Sequence, residues 1–104
     1  MYKGKENIIT AEHLENGEEC SVVGFGQYMT PILKSGQPVR VVPIDDSISL
    51  NKNDIVFVKI SGHYYLHKIS ATKNGVSYQI SNNHGHINGW VSRNSIYGKV
   101  VEIF

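Results

Sequence analysis

Two apolar-alternating runs separated by two small residues constrain this chain more than any other feature. Asp54 to Ile60 and His63 to Ala71 flank Ser61-Gly62, a dipeptide suited to a tight hairpin turn. With two residues in the loop, Ile60 opposes His63, Val58 opposes Tyr65 and Val56 opposes His67. Side chains alternate across a strand. His63, Tyr65 and His67 therefore share a face with Val56, Val58 and Ile60, and Lys68 lies on the other face with Tyr64, Leu66 and Phe57.

The remaining sequence is read in the same way, as an all-β chain with one or two short helical turns. Strands are expected at Val39 to Ile44, where Pro43 marks an edge or a strand end, and at Val76 to Ser81 after the turn Lys73-Asn74-Gly75. A last strand is expected at Ser95 to Phe104. Cys20-Ser21-Val22-Val23 leads into Gly24-Phe25-Gly26, where two glycines permit an unusual backbone turn. Helix is confined to short pieces. Thr10 is placed to cap one over residues 10–15, ended by Asn16-Gly17. Thr30 is placed to cap a single turn over residues 30–34 with Pro31 as its first helical residue. Residues 92–95 could hold a third piece. Residues 82–94 are read as a loop rich in glycine and asparagine, anchored to the core by Trp90.

Length and charge exclude several classes. At 104 residues, with 40% hydrophobic and 18% charged side chains, the chain is expected to form one folded domain over residues 1–104. Ten basic and nine acidic residues leave a net charge of +1, which gives no footprint for direct nucleic-acid binding. No apolar run approaches the ~18–20 residues of a membrane span, and Met1-Tyr2-Lys3-Gly4-Lys5-Glu6 lacks the apolar core of a signal peptide. The single Cys20 cannot form an internal disulfide and is read as a small buried hydrophobe, which suits a cytoplasmic location.

Gly26-Gln27-Tyr28-Met29-Thr30-Pro31 resembles the nucleophile segment Gly-x-Ser-Met-x-Pro of the signal peptidase and LexA-like serine peptidases. Two further segments are similar to that family in the same order. Asn53-Asp54-Ile55-Val56 resembles its Gly-Asp-Ile-Val, with Asn53 in the glycine's place. Tyr65-Leu66-His67-Lys68-Ile69 resembles the strand that delivers the general base, and His67 matches the branch that uses histidine. Asn82-Asn83 through Val101 looks like the family's closing segment. The resemblance covers residues 21–104 and leaves 1–20 as an N-terminal extension. It implies the family's complex β fold, with Tyr28 at the serine position and His67 at the general-base position. Stand-alone versions of similar length occur in phages and mobile elements, so the resemblance also suggests an accessory protein working in a host cytoplasm.

Position 28 carries a phenol where the family has its nucleophile. A tyrosine hydroxyl titrates near pH ~10 and lies several Å further from the backbone than a serine oxygen. The histidine branch orients its base with an aspartate, where this chain offers Asn82 and Asn83, and an amide does not stabilise an imidazolium as a carboxylate does. The chain is therefore read as a degenerate peptidase that acts by binding a peptide, a protein or a small ligand. Met29, Pro31, Asn82, Asn83, His84 and His86 are placed on the cleft rim. An active, self-processing serine peptidase and a protein that sequesters a small ligand, such as a nucleotide, are the alternatives. Thr30 and Ser35 are the possible replacement nucleophiles, although cap and turn roles account for both. His84-Gly85-His86 with His63 and His67 invites a metal, but zinc needs three or four converging ligands and no carboxylate accompanies these histidines. No metal or cofactor is expected.

Overall fold

The structure is a computed structural model that describes residues 2–4, 7–24 and 28–104. Gly26 and Gln27 of the peptidase-like motif, and the turn expected at Phe25-Gly26, lie outside the described residues. Along the described chain run β1 (Tyr2–Gly4), α1 (Asn7–Glu15), β2 (Cys20–Val23), β3 (Pro38–Pro43), β4 (Ile55–Ile60) and β5 (His63–Lys73). They are followed by β6 (Ser77–Ser81), β7 (Ile87–Ser92), a 3-10 turn (Arg93–Ser95) and β8 (Ile96–Ile103). All strands join one sheet in the order β1-β2-β3-β8-β4-β5-β6-β7. Only β1 and β2 run parallel; the other neighbours are antiparallel. The fold is mainly β, as the alternation predicts. Among the described residues no helix is long and apolar enough to cross a membrane.

The β4–β5 hairpin has the register read from sequence, with Ile60 opposite His63, Val58 opposite Tyr65 and Val56 opposite His67. Ser61 and Gly62 have φ of 50° and 82°, positive at both central positions as a type I′ turn requires. Asn53 also has a positive φ, 78°. An asparagine there tolerates the left-handed backbone that a glycine would adopt freely.

Alternation along β4 divides the core in two. Ile55 and Phe57 join Leu14, Val22, Val39 and Val41 in one buried cluster. Val56 and Val58 join Ile69, Tyr78, Ile80 and Ile96 in the other. Helix α1 covers the first cluster with Ala11 and Leu14, and it closes close to the strand-forming Gly98. A Cβ on Gly98 would lie 2.3 Å from Val41 Cγ1, 2.9 Å from the Val42 carbonyl oxygen and 3.2 Å from Leu14 Cδ1. The helix ends where Asn16-Gly17 predicts. The Glu18 amide donates to the His13 carbonyl and the Gly17 amide to the Leu14 carbonyl, and Gly17 has φ of 85°. These are the bonds of a Schellman end, and His13 Nδ1 and Glu18 pair across it.

Other expectations are corrected. Helix α1 starts at Asn7, and Thr10 lies inside it as a buried side chain, because Thr10, Ala11 and Leu14 together form the face packed on the sheet. Residues 30–34 form turns rather than helix. The carbonyls of Tyr28 and Thr30 accept bonds from Asn83, and a helix-like bond from the Leu33 amide to the Met29 carbonyl at 2.8 Å does not continue into a helix. Within 82–94, residues 87–92 form strand β7. Trp90, expected as a core anchor, is 50% exposed on that strand. Val91, the residue after it, packs against the second core cluster instead.

Strand β5 changes partner along its length. His63 to Lys68 pair with β4, and Lys68 to Lys73 pair with β6 on the opposite edge. Between His63 and His67 the edge away from β4 therefore has no strand partner among the described residues.

Candidate functional site

A cleft of about 690 Å³ opens along that free edge of β5. Because it follows an edge, both faces of the strand contribute, with Tyr64 and Leu66 from one and Tyr65 and His67 from the other. Val22, Met29, Leu33 and Phe57 supply an apolar floor, and Tyr28, Asn82, His86 and Asn88 supply a polar end. The end of β2, at Val23 and Gly24, forms the facing wall. Among the described residues, no aspartate or glutamate lines the cleft, and Lys34, His67 and His86 are the basic ones.

Tyr28 and His67 meet at the polar end. Their ring centroids are 6.3 Å apart with the planes tilted by 45°. Tyr28 is 61% exposed and His67 only 5%, so the phenol stands at the rim and leaves the cleft open. Among the described residues no hydrogen bond joins the phenol to the imidazole. Tyr65 packs on the other side of His67 at 4.8 Å between ring centroids. His67 Nδ1 donates to the Leu66 carbonyl at 2.7 Å. A carbonyl can only accept, so in the neutral ring Nε2 is the bare nitrogen. Burial holds the His67 pKa below the usual 6.5, with nearby His86 acting in the same direction and the Leu66 bond opposing. The site therefore disfavours the charged ring, and among the described residues no carboxylate pairs with it.

The two asparagines build the rim. Asn82 Oδ1 accepts from the amides of His84 at 2.8 Å and His86 at 3.0 Å, and the Asn82 amide donates to the His86 carbonyl at 3.0 Å. One side chain thus shapes the whole β6–β7 turn. Asn83 fastens that turn to the motif segment. Its amide donates to the Tyr28 carbonyl at 2.7 Å and its Nδ2 to the Thr30 carbonyl at 2.9 Å. Its Oδ1 accepts from Lys68 Nζ at 3.1 Å. His84 Nε2 reaches Thr30 Oγ1 at 2.9 Å, whereas His86 lines the cleft.

Of the site residues read from sequence, Tyr28, Met29, His67, Asn82 and His86 line the cleft directly. Asn83 and His84 act behind the rim, and Pro31 is an exposed turn residue outside the lining. Lys68 does not line the cleft, but it donates to Asn83 behind it, a contact the face reading did not anticipate. Val22, Leu33, Leu66 and Asn88 were not anticipated. The first three have no motif signal because a cleft floor and a core use the same side chains. Asn88 follows the His-rich turn, and its buried Oδ1 has no hydrogen-bond partner among the described residues. Among the described residues no three histidine, cysteine or acidic side chains gather as metal ligands. The chain matches no protein-family model and no curated protein.

Proposed function

We propose that this protein is a binding domain on a signal peptidase/LexA-like scaffold whose peptidase chemistry is lost, and that it holds an extended peptide in the cleft. The observation that carries this reading is the pairing of a phenol at position 28 with a buried His67 that, among the described residues, has no carboxylate beside it and lies on a strand edge without a partner. A phenol at the rim does not replace a serine oxygen, and a neutral histidine without a carboxylate is a weak general base. The open edge of β5 offers backbone donors and acceptors to an incoming strand, and the apolar floor offers room for its side chains. In this reading the protein works in the cytoplasm, that of a host where a phage encodes it.

A fluorophosphonate probe tests the loss of chemistry. The native protein is expected to remain unlabelled. Tyr28→Ser is expected to label weakly, and Tyr28→Ser/His67→Ala not at all. Labelling of the native protein would overturn the proposal. The bond between Thr30 Oγ1 and His84 Nε2 supports a second reading, a threonine nucleophile with histidine as its base. Native labelling abolished by Thr30→Ala would establish that alternative.

A further inference from the structure

Strand β7 ends the sheet, and its outer edge has no partner among the described residues. Natural edge strands are usually blunted by lysine, by proline or by a covering segment. Ile87-Asn88-Gly89-Trp90-Val91-Ser92 contains neither a charge nor a proline. Its one irregularity is a bulge at Asn88, between the pairs Ser81–Ile87 and Ile80–Gly89. The bulge keeps Ile87 opposite Ser81 and Trp90 opposite Gln79. Ser81 and Gln79 are two residues apart on β6, so Ile87 and Trp90 share one face. Both are solvent-facing there, 54% and 50% exposed.

We propose that β7 pairs antiparallel with β7 of a second copy of this chain, continuing the sheet across a twofold axis. In that arrangement Ile87 of each copy opposes Trp90 of the other, so one aliphatic–aromatic pair forms twice. Backbone groups left open on both edges satisfy each other in the same step. Charge favours a second copy as the occupant. The strand is neutral and the chain carries only +1, so two copies approach with little repulsion. Arg93, the next cation along the chain, is turned inward, its guanidinium donating to the Asp45 and Ile48 carbonyls. A partner selected by charge would find no complementary group on β7.

Trp90 is the only tryptophan, so its fluorescence reports on this strand alone. Sedimentation of the full chain over a dilution series should show a fall from two chains to one. Tryptophan emission should shift to longer wavelength with the same midpoint. Trp90→Lys and, separately, Ile87→Lys should weaken association ~30-fold or more, the scale of a lost interface anchor. Far-UV circular dichroism should be retained in both. Val76→Lys, exposed in the β5–β6 turn, should leave association unchanged. A one-chain mass at every concentration would overturn the proposal. So would assemblies growing beyond two chains, or dimers that survive both β7 substitutions.

Discussion

His67 and His84 show how differently two imidazoles can be used within one small site. His84 lies at the surface and spends a ring nitrogen on Thr30. His67 is buried, gives Nδ1–H to the carbonyl of the residue before it and keeps its charged form disfavoured. That preference has a thermodynamic sign. Its pKa in the fold lies below the usual 6.5, so as pH falls the unfolded chain takes up the proton first. The contribution of His67 is complete above about pH 6.5 and is lost progressively as pH drops toward the lower value in the fold. Thermal midpoints measured from pH 8 downward should therefore fall less steeply for His67→Gln than for the native chain. Equal slopes would mean that the ring is as easily protonated folded as unfolded. Sequence was a good guide to these side chains where a motif marked them, as at Tyr28 and His67. It also flagged the amides of Asn82 and Asn83, yet not their work: Asn83 serves a segment more than fifty residues away, and Asn82 serves amides that only the folded turn brings to it. Leu66 and Val22 were invisible as cleft residues, since nothing in an apolar side chain tells a floor from a core.

Elements whose geometry is local were the most legible. The β4–β5 register follows from a period of two and a two-residue turn, and both are written within twenty residues. Strand β7 was hidden because Asn88 and Gly89 interrupt its alternation at a bulge, and Gly89 takes φ of 141° there. The turn at residues 30–34 looked helical because cap and proline preferences are local; it keeps one helix-like bond, from Leu33 to Met29, and Asn83 ties it to the β6–β7 turn. The hairpin turn itself retains a conflict. Ser61 is held at φ of 50°, a region that serine enters less readily than asparagine or glycine. Ser61→Asn, giving the favoured Asn-Gly pair, is expected to raise stability by about 0.5–1 kcal/mol. Urea denaturation would show this as a higher midpoint with an unchanged slope.

Over the whole molecule, the least legible feature is how the N-terminal segment joins the rest. Strand β1 pairs with β2 in parallel, and α1 lies between them in sequence, a crossover with no local signature. Gly98 shows how closely the layers meet. Gly98→Ala would drive a methyl against Val41 and the Val42 carbonyl, and a backbone carbonyl cannot swing aside. A loss of about 1–3 kcal/mol is expected, visible as a lower midpoint in denaturant; unchanged stability would show that β3 and β8 can separate at little cost. Strand β5 has a different consequence for the molecule as a system. The segment that walls the cleft, Tyr64 to His67, is also the hairpin partner of β4, whose Val56, Phe57 and Val58 are almost wholly buried. One strand thus carries both the edge of the cleft and a partner of the core. In the proposed role, a peptide docked there would be held by the central strands themselves.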